Sequence, residues 1–115
     1  MQEHTYVYIL TVLRYVMEID FNKPTRERPH SVGNGIQKIW RFKNGYGASI
    51  VQFKIGDIWG SYTDNDKEWE LAVIKFASES LDSFTLVYDT AITNDVMGHL
   101  TGKKVIDLLK RIKEL

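Results

Sequence analysis

Arg41-Phe42-Lys43-Asn44-Gly45-Tyr46-Gly47-Ala48-Ser49-Ile50-Val51 is the stretch whose reading decides the fold. Asn44-Gly45 stands between two alternating apolar runs, which predicts a tight β-hairpin. The expected turn is type I′, with φ > 0 at both central residues. On the first arm, residues 36–43, Ile36, Lys38, Trp40 and Phe42 alternate with Gln37, Ile39, Arg41 and Lys43. The Trp40 and Phe42 face is expected inward. On the second arm, residues 46–53, Gly47 marks a bulge or a close approach of two backbones.

Outward from the hairpin, other elements follow. Residues 5–19 are dense in β-branched and aromatic types, which predicts a strand within the N-terminal segment 1–20. Residues 21–35 hold both prolines, Gly33-Asn34-Gly35 and three basic residues, and read as a long basic loop. Residues 56–66 form a loop carrying Trp59 and Tyr62. Strands are expected over 69–76 and 84–88, joined by a turn at 78–83. The C-terminal segment 101–115 is the clearest helix. Thr101 is placed to cap it, and Leu100 with Val105 to staple it. Val105, Leu108, Leu109, Ile112 and Leu115 form one apolar stripe, while Lys110, Arg111 and Lys113 suit the negative end of the dipole. The sum is one α+β domain over 1–115. An antiparallel sheet of about five strands, the N-terminal strand and those of the sheet region 36–90, is covered on one face by the C-terminal helix.

The chain has 115 residues, 43% apolar and 26% charged, as for an ordinary globular domain. It has no cysteine, which excludes disulfides, thiolate-bound zinc and cysteine nucleophiles. No apolar run reaches membrane-spanning length, so no membrane association is expected. Residues 6–16 are apolar but lack the basic flank and cleavage site of a signal peptide. Net charge is zero but uneven: residues 36–54 carry four basic and no acidic side chains, and residues 55–100 carry two basic and nine acidic.

Motifs of chemistry are few. Asp64-Asn65-Asp66-Lys67-Glu68 fails the calcium-loop pattern, with Trp69 where Gly is required and Lys75 where the bidentate Glu is required. His4, His30 and His99 show no metal-ligand spacing, so neither metal nor cofactor is expected. Gly45-Tyr46-Gly47-Ala48 is followed by no helix and makes no phosphate loop. A catalytic pair can be drawn only between His99 and Asp89 or Asp95, which leaves a small hydrolase as the least favoured function. The hairpin mixes rings and cations as single-strand binders do, which makes a nucleic-acid-binding module the alternative function. Alternation, however, puts Arg41 and Lys43 opposite Trp40 and Phe42.

Four runs carry a resemblance: the hairpin; Trp69-Glu70-Leu71-Ala72-Val73-Ile74; Tyr88-Asp89-Thr90-Ala91-Ile92-Thr93-Asn94-Asp95-Val96-Met97-Gly98-His99-Leu100-Thr101; and the Leu-rich helix. In order and spacing they resemble a group of short, uncharacterised accessory proteins of tailed bacteriophages. The group usually has Pro at the position of Ala91, and residues 1–40 fall outside the resemblance. The likeness implies an accessory protein acting in the host cytoplasm and no particular activity; the leading expectation is a non-enzymatic binding protein. By class-level analogy such a protein binds a host protein and inhibits a defence system such as CRISPR. Trp59, Tyr62, Asp64 and Asp66 in the acidic loop, with Asp89, Thr93, Asn94 and Asp95 in the polar run, are the expected partner-binding residues. Homodimerisation through the N-terminal strand is a second expected contact.

Overall fold

The computed structural model describes residues 19–93 and 95–115. The expected N-terminal strand, and the dimer contact assigned to it, lie outside the described residues, apart from Ile19 and Asp20, which are in no strand.

The hairpin forms from β2 (Asn34–Arg41) and β3 (Tyr46–Ile55), in register through Lys38↔Ile50 and Trp40↔Ala48. Its turn differs from the expected one. Phe42 N–H donates to the Tyr46 carbonyl at 2.9 Å, and Gly45 N–H donates to the Phe42 carbonyl at 3.1 Å. The loop therefore has three residues, and only its last, Gly45, is left-handed, with φ 86°. Asn44 is thereby free to use its side chain twice. Its Oδ1 accepts from Tyr46 N–H at 3.0 Å, and its Nδ2 lies 3.0, 3.1 and 3.0 Å from the carbonyls of Ile112, Lys113 and Leu115. Gly47 is a close approach: a Cβ there would stand 2.0 Å from the Trp40 carbonyl.

β5 (Trp69–Phe76) pairs with the first half of β3, and β4 (Ile58–Trp59) pairs with its last two residues on the same side. β1 (Arg26–Pro29) pairs with the outer edge of β2. This corrects the reading of 21–35 as loop throughout. Arg-Glu-Arg-Pro has no apolar alternation to announce a strand, and an edge position tolerates Pro29. β6 (Phe84–Leu86) and β7 (Met97–Leu100) share the free edge of β5. β6 lies opposite residues 74–76, and β7 opposite 69–71 with a register irregularity. The fold is α+β with an antiparallel sheet, as expected, but the sheet has seven strands among the described residues. The three additional ones span two to four residues, too short for a period to show.

α1 (Gly102–Lys113) crosses one face of this sheet. The Thr101 hydroxyl accepts from Lys104 N–H at 3.3 Å, as a cap should. Val105, Leu108, Leu109 and Ile112 are buried against Trp40, Ala48, Ile50, Leu71 and Val73. Lys38 is buried on the same face. Its Nζ donates to the Phe21 carbonyl at 3.1 Å, lies 3.5 Å from Glu27, and stands over the Phe21 and Trp69 rings at 4.1 and 5.4 Å. These partners offset the desolvation of its charge. On the opposite face Ile39, Ile74 and Phe76 pack with Leu81 and Phe84. Arg26 and Arg28 reach Asp82 there at 2.7 and 3.3 Å.

The turn between β1 and β2 is organised by His30. Its Nδ1 accepts from Val32 N–H at 3.2 Å and Gly33 N–H at 3.1 Å, and its ring stacks on Phe53 at 3.7 Å. Burial is the main cause that lowers its pKa below the ordinary 6.5, and Arg28 adds to it while Glu70 opposes it.

Two outcomes follow from these contacts. Asn44→Asp keeps an acceptor for Tyr46 N–H but loses every donor to the helix and sets a negative charge at its negative end. We expect it to cost about 1–3 kcal/mol in urea unfolding, at least as much as Asn44→Ala. An Asp variant as stable as wild type would show that the helix contact contributes nothing. For His30, the fold favours the neutral ring. Its contribution is therefore complete above pH 6.5 and is lost as pH falls through the lowered value. Protection factors of the Val32 and Gly33 amides, taken relative to the intrinsic rate that itself slows in acid, should fall as pH drops from 7 through the lowered value, and His30→Asn should remove that pH dependence.

Candidate functional site

Two segments were singled out by sequence, 57–70 and 89–95, and the fold places them at different ends of α1. The polar run lies beside the helix C-terminus. Arg111 reaches the Ala91 carbonyl at 3.5 Å, and Ala91 and Ile92 line an open concavity of about 420 Å³ with Lys110, Arg111, Glu114 and Leu115. Its hydroxyls are used locally. Thr90 Oγ1 accepts from Ile92 N–H at 3.2 Å and Thr93 N–H at 3.3 Å. Thr93 Oγ1 donates to the Asp95 carbonyl at 2.6 Å, and Asp95 Oδ1 accepts from Val96 N–H at 2.7 Å. Asp89 is exposed, and Asn94 lies outside the described residues.

The acidic loop lies beside β7, which ends immediately before the helix cap Thr101. It begins at the β3–β4 hairpin, where Ile55 pairs with Ile58. Trp59 is half-buried, with Lys54 Nζ 4.8 Å over its ring, and Tyr62 is exposed. Between them Ser61 Oγ accepts from Phe53 N–H at 3.1 Å and bonds Thr63 Oγ1 at 2.8 Å, so the loop backbone is held to β3. The Asp66 and Glu68 carbonyls accept from Gln52 Nε2 at 2.7 and 2.8 Å. The side chains of Asp64 and Asp66 project into solvent.

His99 brings the loop and the sheet edge together. Its N–H donates to the Tyr62 carbonyl at 2.8 Å. Its Nδ1 lies 3.1 Å from Glu68 Oε1 and 3.4 Å from Asp64 Oδ2. Glu68 Oε1 also accepts from Asp64 N–H at 2.8 Å. That backbone donor first, and the His99 ring second, hold the Glu68 carboxyl below the usual carboxylate range. Among the described residues, Asp64, Glu68 and His99 are the group whose ligand atoms converge within 4.8 Å. Sequence reading paired His99 with Asp89 or Asp95 instead. The carboxylates that reach it lie 31 and 35 positions away, delivered by the Trp69↔Leu100 pairing of β5 with β7. A four-residue strand gives no pattern from which that pairing could be read.

The hairpin rings proposed for base stacking are spent on packing. Trp40 is 4% exposed, Lys38 6%, and Phe42 packs against the helix-side core. Arg41 lies over Phe76 at 4.7 Å on the other face.

His99 has φ 55°, left-handed for a residue other than Gly. His99→Gly is expected to be neutral or to stabilise by up to about 1 kcal/mol in chemical denaturation, since it relieves the backbone. His99→Val should destabilise by about 1–2 kcal/mol, because a β-branched side chain resists that conformation. A Gly variant markedly less stable than wild type would make the imidazole a structural strut.

No known protein family matches this chain, and neither a curated protein nor a solved structure matches it.

Proposed function

We propose that this chain is a non-enzymatic binding protein that acts by docking on another protein through the end of the sheet formed by β4 and the β1–β2 turn. The observation that carries the reading is the exposure of three aliphatic side chains there. Val32 is 76% exposed, Ile58 75% and Ile55 56%. Ile55 and Ile58 are direct cross-strand partners. Val32 joins them because the ladder ends at Asn34↔Lys54 and Gly33 lies against Phe53 and the Lys54 carbonyl. Scattered exposed aliphatics are ordinary, but three gathered at one end and rimmed by acidic side chains are the composition of a contact surface.

Trp59 and Tyr62 extend the surface along the edge of β3, and Asp64 and Asp66 form its rim. The polar run at 89–95 is a second, separate contact in this reading. The resemblance to tailed-phage accessory proteins makes a host protein in the cytoplasm the partner to seek, with defence effectors such as CRISPR nucleases first. Nucleic acid is the weaker alternative, because of the hairpin rings that would stack on bases Trp40 is buried and Phe42 and Tyr46 pack against the core. Among the described residues, no helix is long and apolar enough to cross a membrane.

The test is a binding measurement on the full chain against host effectors, with Ile55→Asp/Ile58→Asp beside wild type. A nuclease-resistant complex of fixed stoichiometry is expected by light scattering. The double variant should weaken it at least about 100-fold, as loss of two central apolar contacts does, without lowering the melting temperature. Loss of the complex on nuclease treatment, or equal affinity of the double variant, would overturn the reading.

A further inference from the structure

We infer that Asp64, Glu68 and His99 form a binding site for one divalent first-row transition metal ion of the zinc or manganese class. Three observations carry this. The first is distance. Bonds of about 2.0–2.2 Å to nitrogen and oxygen place neighbouring ligand atoms about 3.4 Å apart at a tetrahedral angle and about 3.0 Å apart at a right angle. His99 Nδ1 stands 3.1 Å from Glu68 Oε1 and 3.4 Å from Asp64 Oδ2. Both separations from Nδ1 are thus those of neighbouring ligands on one ion, and all three ligand atoms lie within 4.8 Å of one another.

The second is that hydrogen bonding accounts for only one of the two carboxylates: Nδ1 bonds Glu68 Oε1, and Asp64 Oδ2 faces the same nitrogen without a hydrogen bond to it. Nδ1 carries one proton at most, and two carboxylates face it. Both distances exceed the roughly 2.7–2.9 Å of a charge-assisted bond. The third is charge. Elsewhere in the chain, carboxylates in ion pairs are met by permanent cations: Asp82 by Arg26 and Arg28, Glu27 by Lys38, Glu79 by Arg41. Among the described residues, Asp64 and Glu68 meet no lysine or arginine, only the imidazole. Residues 57–70 carry five acidic side chains and one lysine, so the local field favours a cation.

The donor set selects the ion. One imidazole nitrogen with two carboxylates suits Zn²⁺, Mn²⁺ or Co²⁺, whereas Mg²⁺ and Ca²⁺ seek oxygen alone. Asp64 Oδ2 and Glu68 Oε1 come from the loop and Nδ1 from β7, so the ion would clasp the loop to the sheet edge. Three protein ligands leave at least one position open to solvent. This inference does not depend on the docking surface proposed above.

The experiment is a titration of the full chain with zinc chloride, read by amide and imidazole NMR shifts, with magnesium and calcium chloride in parallel. Saturation at one equivalent is expected, centred on residues 62–68 and 97–100, with at least about ten-fold weaker response to magnesium and calcium. His99→Asn tolerates the left-handed backbone and keeps the fold testable. It and Glu68→Gln should each weaken zinc binding at least about ten-fold, while His30→Gln leaves it unchanged. The inference fails if no saturable response is seen, if shifts centre on His4 or His30, or if His99→Asn binds zinc as wild type does.

Discussion

Burial of the α1 stripe against one face of the sheet is the contact on which the other elements depend. A 12-residue helix is too short to persist alone in water. Each fully buried Leu, Ile or Val contributes about 1.5–3 kcal/mol of transfer free energy, and four such residues face Trp40, Ala48, Ile50, Leu71 and Val73. The helix is also fixed at both ends by the sheet it covers. β7 delivers its first turn through the Trp69↔Leu100 pair, and the β2–β3 turn closes its last turn through Asn44. The residue that shapes the hairpin is thus the residue that ends the helix. One amide group bonds both the hairpin turn and the carbonyls at the end of the helix.

The large elements were legible because each buries one face and so writes a period into the sequence. β2, β3, β5 and α1 show it, and the first three pair antiparallel, as expected. What could not be read are the elements whose side chains answer to a neighbour instead of to burial. β1 is Arg-Glu-Arg-Pro, and its arginines point toward Asp82, 54 and 56 positions away. The turn type failed for a similar reason. Asn-Gly permits the two-residue form, but Asn44 answers to helix carbonyls 68 to 71 positions on, which a local rule cannot see. The pairing of His99 with Glu68 was hidden in the same way, since it depends on β7, four residues long, finding the edge of β5.

Polar groups are treated differently at the two ends of the sheet, and the contrast bears on what the chain does. At the hairpin end, capping, cation–ring packing and arginine pairing use the polar side chains for stability. At the β4 end, three aliphatic side chains stand in water and two carboxylates share one imidazole. Aliphatic side chains left in water do not stabilise the fold, so folding alone gives no reason for them. The sign of the charge there narrows the class of molecule that could. Five acidic side chains against one lysine between 57 and 70 would repel a phosphate backbone, whose affinity for proteins comes chiefly from lysine and arginine. A surface that is apolar at its centre and acidic at its rim is complementary instead to an apolar patch bordered by basic residues, or at the His99 cluster to a cation.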